Sequence, residues 1–420
     1  MHTVFRPNPA LHSACLGLYF PAGPVYETAQ TLGISHLVEH LFFRLLPGLP
    51  QKQLYSDLAK LGATLRGKTG HDFMELLLTV SPENLPQACV LFLKLFEPFE
   101  ADESAFLREK AVVCKQISYA PFPFYQFVQA QYFRARKRAL PIMGTHESVE
   151  GVTCEQACRW QRRLLGQDSV WVVATGCFPL ALWRAFLHRL EAVEHPTPQP
   201  LRAAAQIPRG FAARTARDDH IIPGTGDVSD VMLCFDVEPD ANPYAVDLLC
   251  SILGGGDGSR LSMSLREERA WTDEIFSYVE EFHFARCLCM ETSVDAADLL
   301  QSLWQIFYVL IDARENLTET DRLESLCFFT KNQSARLDDA ARYNEDIGLF
   351  CAAKGEEPPS LAETAARYAA VSLQTLRETA QCLLRPEALS IYVTNDSRCL
   401  KRSALRAVLS QCRDSLPLKS

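Results

Sequence analysis

The amino-acid sequence predicts an α+β fold organised as two domains. The chain has 420 residues, which is more than one ordinary domain holds, and its 48% hydrophobic and 22% charged content is typical of a soluble globular protein with sizeable cores. Segments with strand and helix patterns are mixed in each half, and they follow the same order twice. That repeated order indicates a divergent internal duplication.

The first half begins with a strand over 14–20, which is ended by a turn containing Pro and Gly. A helix follows in the apolar run after Gly33, with Ser35 as its predicted N-cap. The remaining predicted elements are a helix over 52–61, a hairpin of 61–65 with 72–80, helices over 82–96 and 103–118, and a buried strand over 170–175.

A Pro- and Ala-rich stretch over 195–218 lacks clear periodicity and is predicted to be a linker. It would join an N-terminal domain of residues 1–194 to a C-terminal domain of residues 219–420. The second half repeats the pattern, with strands over 231–237, 287–294 and 389–393, a helix over 243–253, a Gly-rich turn over 254–259, a short helix over 260–268 and two long later helices.

The most informative motif is His36-Leu37-Val38-Glu39-His40. Residues four apart lie on one face of a helix, so both imidazoles can reach one metal ion and the carboxylate projects close to it. This is the inverted zinc-peptidase spacing, in which two histidines bind zinc and the glutamate acts as general base on the water that zinc activates. The alternative is a buried amphipathic helix whose polar residues pair with one another.

Composition excludes several other classes of protein. The net charge of −9 argues against a nucleic-acid partner, and no stretch approaches an apolar span of membrane length. The first residues show no secretory signal, which predicts a cytoplasmic protein without membrane attachment. The 15 cysteines are scattered without a Cys-x-x-Cys pair, so we expect reduced core residues rather than a zinc knuckle or a disulfide framework.

Over nearly its whole length the chain resembles the pitrilysin/insulinase family of metallopeptidases, which includes mitochondrial processing peptidases and their bacterial relatives. The resemblance rests on motifs in the family's order, namely the His36–His40 motif and segments 61–65, 82–86, 107–113, 144–149, 253–260 and 265–267. It implies two homologous α/β-sandwich domains, each a mixed sheet with helices on one face, and Zn²⁺ as cofactor. It also implies a peptide substrate and a hetero- or homodimer with a chain of the same fold.

The family's third zinc ligand is a glutamate seven residues beyond another functional acid. In this chain Glu109 matches the earlier acid, and the ligand position is Gln116. An amide oxygen can bind zinc, but it is neutral and weaker than a carboxylate. The resemblance implies that Gln116 is the third ligand and that Glu109 orients the metal site. The alternative for Glu109 is an ordinary acid on a helix surface.

Two further departures concern the substrate. Arg266 matches a family arginine that binds the substrate carbonyl and stabilises the oxyanion, but Asp273 stands where the partner tyrosine is expected. A second chain that supplies the Arg/Tyr pair would explain this departure. Arg66 stands where the family tends to have asparagine, near the strand over 72–80, where substrates of the family add to the sheet edge. The Gly-rich turn over 254–258 is either a flexible turn or a loop that touches substrate.

The sequence and the resemblance together predict a zinc-dependent endopeptidase that hydrolyses short or unfolded peptides as one subunit of a two-chain peptidase. The predicted zinc ligands are His36, His40 and Gln116, and the predicted catalytic residues are Glu39, Glu109 and Arg266. The alternative is a non-catalytic subunit that binds peptide or scaffolds an active partner. Gln116 and Asp273 support that alternative, and the intact Glu39 opposes it. A change specific to this one sequence is a third explanation of Gln116.

Overall fold

The computed structural model describes residues 1–119, 124, 128, 131–132, 141–193, 218–224, 226–282 and 285–417. They form two compact units. The first contains residues 1–119, 141–193 and 334–358, and the second contains the remainder. Residues 334–358, which the sequence analysis assigned to the C-terminal domain, therefore pack with the first unit. The predicted linker lies outside the described residues except for Asp218, which begins a strand.

Each unit is built on one five-stranded mixed sheet. The strands of the first unit are β1 (His2–Pro7), β2 (Ala14–Pro21), β3 (Thr64–Thr69), β4 (Phe73–Val80) and β5 (Trp171–Gly176). The strands of the second unit are β6 (Asp218–Pro223), β7 (Val228–Val237), β8 (Ile275–Glu281), β9 (Arg286–Asp295) and β10 (Leu389–Asn395).

The α-helices of four residues or more follow in chain order. They are α1 (Ile34–Leu41), α2 (Gln51–Lys60), α3 (Leu85–Leu93), α4 (Glu103–Tyr119), α5 (His146–Gly151), α6 (Cys154–Leu165), α7 (Leu180–Glu191), α8 (Pro243–Gly254), α9 (Leu299–Glu315), α10 (Glu319–Ala335), α11 (Ala340–Lys354), α12 (Leu361–Ala369), α13 (Leu373–Leu383) and α14 (Arg402–Ser415). A short turn of helix at Arg260–Ser262 continues into a π-helical turn at Met263–Glu267.

The two sheets have the same topology. The strand order is β1-β5-β2-β4-β3 in the first unit and β6-β10-β7-β9-β8 in the second. In each sheet the first strand pairs in parallel with the last, and the other neighbours are antiparallel. The α+β duplication predicted from the sequence is therefore confirmed.

In the first unit, helices α1 to α7 cover one face of the sheet and share one apolar core with it. The opposite face carries α11, which comes from the second half of the sequence. There the Asn344 side chain accepts a hydrogen bond from Tyr19 at 2.9 Å and donates to the Val173 carbonyl and the Thr175 hydroxyl, each at 3.0 Å. Helices were predicted on one face only, and α11 adds a second layer on the other.

β3 is an edge strand among the described residues, because its only sheet neighbour is β4. The substrate edge was predicted near residues 72–80, but β4 lies inside the sheet between β2 and β3. The sheet edge nearest to residues 72–80 is therefore one strand further out, at Thr64–Thr69.

The 15 cysteines are all free thiols, as the sequence analysis expected, and most are buried. Within the described part of the chain, no helix combines the length and the apolar character that a bilayer span requires.

Candidate metal centre

The His36–His40 motif lies on α1, as predicted. Leu37, Val38 and Leu41 are fully buried in the core of the first unit. The two histidines and Glu39 occupy the side of the helix that faces β3 and α4. The amphipathic periodicity of α1 therefore anchors one face of the helix and presents the polar residues on the other.

The first turn of α1 is held by Glu27. Its carboxylate accepts hydrogen bonds from the backbone N–H groups of Gly33, at 2.7 Å, and Ser35, at 2.9 Å. Gly33 is the N-cap and has a φ of 86°, in the left-handed region that favours glycine. The predicted N-cap, Ser35, instead lies inside the helix, where its hydroxyl accepts a hydrogen bond from the Gly23 N–H. The prediction was wrong because the Glu27 carboxylate, six residues before Gly33 and eight before Ser35, satisfies these N–H groups.

The three predicted zinc ligands meet between α1 and α4. The His36 and His40 ring centroids are 4.7 Å apart, and His36 Nε2 lies 3.2 Å from Gln116 Oε1. Two ligand atoms of one tetrahedral zinc ion lie about 3.3 Å apart when each is about 2.0–2.1 Å from the metal. The separation of the imidazole and amide atoms therefore matches that of two ligands on one ion.

Glu109 contacts the second histidine directly. His40 Nδ1 donates a hydrogen bond to Glu109 Oε1 at 2.8 Å, and Arg44 Nε donates to the other carboxylate oxygen. Burial lowers the pKa of His40 to about 4, with His36 and Arg44 adding to this effect and Glu39 opposing it. A neutral imidazole that donates through Nδ1 leaves the lone pair on Nε2 available for a metal.

His36 has a different electrostatic environment. Burial by itself lowers the pKa of His36, but the adjacent Glu39 carboxylate and the Gln116 amide outweigh burial, so that the pKa is raised from its usual value. Nδ1 of His36 is buried without a hydrogen-bond partner among the described residues, and it lies 3.6 Å from Glu39 Oε2.

β3 positions the Glu39 carboxylate. The Thr69 hydroxyl donates a hydrogen bond to Glu39 Oε2 at 2.5 Å. The carboxylate also packs against the backbone of Gly67, where an added Cβ would lie 2.6 Å from Oε1. Glycine at this position therefore allows the carboxylate to lie directly against the edge strand.

Arg266 belongs to the second unit, and nothing places it at the motif. It lies in the π-helical turn, where its guanidinium pairs with Asp257 at 3.2 Å and Glu267 at 3.1 Å. The Gly-rich turn contributes Asp257 to this ion pair. The role predicted for Arg266 remains a prediction.

Sequence reasoning missed four residues of this site, namely Glu27, Arg44, Gly67 and Thr69. Arg44 could have been found, since it follows His40 by one helical turn. The others reach α1 from separate segments, and their spacing in the sequence carries no such signal.

Comparison with known proteins identifies the family of this chain. Residues 3–146 match the insulinase family (peptidase family M16), and residues 153–324 match the peptidase M16 inactive domain. Because these matches together span more than half of the chain, the protein belongs to the insulinase family of peptidases.

The individual relatives are distant. An uncharacterized zinc protease of Streptomyces coelicolor is 22% identical over 67% of this chain and 63% of its own length. The mitochondrial-processing peptidase subunit beta of Neurospora crassa is 22% identical over 41% of this chain and 37% of its own length. The crystal structure of a protease from Helicobacter pylori superposes with a TM-score of 0.81 at 14% identity, covering 94% of this chain and 96% of that chain. This last likeness concerns the fold alone.

The residues present fit the zinc that the family implies. Two imidazoles and one amide oxygen converge from α1 and α4, and the tautomer of His40 leaves its Nε2 free. The set differs from a usual zinc-peptidase set in charge, because Gln116 is neutral.

Proposed function

We propose that this protein is a zinc-dependent endopeptidase that hydrolyses short or unfolded peptides as one subunit of a two-chain peptidase. The observation that carries the proposal is the placement of Glu39. Its carboxylate lies beside the histidine pair and is held against the edge strand by Thr69 and the Gly67 backbone. A purely structural helix would not need a buried carboxylate at that position.

His36, His40 and Gln116 would hold the zinc ion. When bound, zinc would polarise the scissile carbonyl and favour ionisation of a water molecule. Glu39 would accept the proton of that water and pass it to the leaving amine. Glu109, through its hydrogen bond to Nδ1, would keep the His40 ring oriented, and the ion pair with Arg44 would hold the Glu109 carboxylate in place.

The free edge of β3 supports an extended substrate. A peptide can add as a further strand and hydrogen-bond to the backbone of Thr64–Thr69. Gly67 and Thr69, whose side faces Glu39, would then bring a peptide bond close to the carboxylate. Only a short or unfolded chain presents a free strand of this kind, which is why we propose that substrate class.

A second chain of the same fold would complete the site. The resemblance assigns oxyanion binding to an Arg/Tyr pair, but Arg266 is paired with Asp257 and Glu267, and Asp273 replaces the tyrosine. One relative is named as a subunit of a processing peptidase, which is consistent with such an assembly. We further propose a cytoplasmic location, which the 15 free cysteines support.

A non-catalytic peptide-binding or scaffolding subunit is the second candidate. The neutral Gln116 favours it, since this residue is exposed and a carboxylate would bind zinc more tightly. This candidate keeps the edge strand as a peptide-binding surface but assigns no proton transfer to Glu39.

The two candidates differ in the effect of Glu39→Gln. The full-length protein, alone and with any co-purifying chain of the same fold, is assayed on internally quenched peptides with zinc present, and metal content is measured in parallel. We expect near-stoichiometric zinc and a loss of at least about a hundredfold in kcat for Glu39→Gln, with peptide binding retained.

Glu147→Gln is the matched control, because Glu147 is an exposed glutamate of the same unit. The peptidase proposal would be wrong if the protein bound no zinc when zinc is supplied in excess. It would also be wrong if Glu39→Gln left the rate of cleavage unchanged. Retained peptide binding without any cleavage would favour the scaffold.

A further inference from the structure

A second group of metal-binding side chains lies on the first unit. Cys114 on α4 and His146 and Glu150 on α5 each offer one ligand atom, and these three atoms lie within 4.8 Å of one another. Among the described residues this is the group of His, Cys, Asp and Glu side chains that could hold an ion. It is distinct from the His36–Gln116 centre, whose third ligand is an amide.

The arrangement follows from helix geometry. His146 and Glu150 are four residues apart, so they project from the same face of α5. On α4, Lys110, Cys114 and Ser118 are also spaced by four and all face α5. Cys114 is therefore the middle member of a row of polar side chains directed at the two ligands on α5.

The contacts on either side of Cys114 hold the two helices together. Lys110 Nζ donates to the backbone carbonyls of Glu150, at 2.5 Å, and Val152, at 2.8 Å. The Ser118 hydroxyl lies 2.9 Å from His146 Nε2 and directs the ring toward α4.

The start of α5 is fixed by its own cap. Thr145 and Ser148 form a reciprocal capping box, and the Ser148 hydroxyl donates to the Leu32 carbonyl at 2.8 Å. The three ligand side chains therefore project from a supported backbone, as a metal site requires.

We propose that Cys114, His146 and Glu150 bind a second metal ion of borderline softness, with Zn²⁺ as the expected ion. One thiolate, one imidazole and one carboxylate are donors that tetrahedral zinc accepts, and a water molecule can take the fourth position. Ligand atoms on one zinc ion lie about 3.3–3.7 Å apart. The three ligand atoms, which lie within 4.8 Å of one another, therefore need to move by up to about 1 Å to reach one ion, and side-chain rotation allows such a movement. Binding displaces the thiol proton of Cys114 to solvent.

Such an ion would link α5 to the helix that carries Glu109 and Gln116. The segment before α5 also contacts the start of α1, because an added Cβ at Gly33 would lie 2.5 Å from the Met143 carbonyl oxygen. The second ion would thus stabilise the position of α4, one of the two helices that frame the first centre, without touching the peptide bond.

Cobalt spectroscopy separates the two centres. Metal-stripped, reduced full-length protein is titrated with Co²⁺, and the thiolate-to-cobalt charge-transfer band is followed in the near ultraviolet. Only a site with cysteine can give this band, and the His36–His40–Gln116 centre contains none. We expect the band in wild type and in the double variant His36→Ala, His40→Ala, and we expect excess Zn²⁺ to abolish it.

Cys114→Ser should remove the band, and His146→Ala should weaken cobalt affinity at least about tenfold. Cys382→Ser, which alters an exposed cysteine of the second unit, is the matched control and should retain the band. Circular dichroism checks that each variant is folded, and His146→Gln replaces His146→Ala if that variant is not. No band in wild type at saturating Co²⁺, or a band that survives Cys114→Ser, would overturn the proposal.

Discussion

Glu75 on β4 provides a quantitative test of how the first unit tolerates a buried charge. Its side chain is fully buried, and neither carboxylate oxygen has a hydrogen-bond partner among the described residues. The nearest cation, the Arg66 guanidinium, is 3.8 Å from the Glu75 carboxylate. Arg66 instead pairs with Glu345 at 2.9 Å, and Glu345 also pairs with Lys68 at 2.5 Å. Burial and the nearby Glu345 raise the pKa of Glu75 to about 7, against the opposing effects of Lys68 and Arg66.

The sign of the effect on stability follows from this direction. The folded protein holds the Glu75 proton more tightly than the unfolded chain, whose carboxyl has a pKa of 4.5. The stabilising contribution is complete below pH 4.5 and is lost as the pH rises to about 7. Since each pKa unit corresponds to about 1.4 kcal/mol, the loss amounts to about 3 kcal/mol.

Glu75→Gln removes the ionisation and should therefore change the pH dependence. Relative to wild type, the variant should gain about 3 kcal/mol of unfolding free energy between pH 4.5 and pH 8. Urea unfolding is followed by tryptophan fluorescence, to which Trp160, Trp171 and Trp183 contribute from buried positions in the first unit. Glu147→Gln shows how much of the gain comes from loss of one exposed negative charge. The reasoning would be refuted if the difference in unfolding free energy between Glu75→Gln and wild type were the same at both pH values.

Three further predictions concern the candidate site. Gly67→Ala should displace the Glu39 carboxylate and lower kcat about 10- to 100-fold with little change in KM. Gly151→Ala is the control and should leave kcat unchanged in the same assay, because no atom lies within 4 Å of the added Cβ. Gln116→Glu should tighten zinc binding about tenfold or more in a chelator competition, and an unchanged affinity would mean that this side chain does not touch the metal. Arg66 is half-exposed on the edge strand, so acidic peptides that add to β3 should bind Glu39→Gln protein about fivefold more weakly after Arg66→Glu, while neutral peptides serve as the control in fluorescence anisotropy.

The sequence alone was sufficient for the features that depend on local spacing. The four-residue interval between His36 and His40 placed both rings on one side of α1, because a helix repeats about every 3.6 residues. The seven-residue interval between Glu109 and Gln116 likewise placed both side chains toward α1. The repeated order of strands and helices also predicted two similar sheets, which the matching topologies confirm.

Among the elements that were not predicted, three strands lack a strong local pattern. β1 and β6 pair in parallel with β5 and β10, which lie more than 160 residues later in the chain. Neither strand has a hairpin partner beside it in the sequence, so the turn residues and neighbouring strand that usually predict a strand are absent. β8 has an alternating pattern of partial burial that is weak as a sequence signal.

The sequence by itself determined the family, the repeated fold and the polar face of α1. Only the tertiary structure decided which groups support that face: Glu27 at the start of the helix, Arg44 on Glu109, and Thr69 with the Gly67 backbone on Glu39. It also brought α11 onto the first sheet and Cys114 beside His146. Periodicity is a property of neighbouring residues, whereas these contacts join segments brought together by burial of apolar surface, and residue spacing does not encode them.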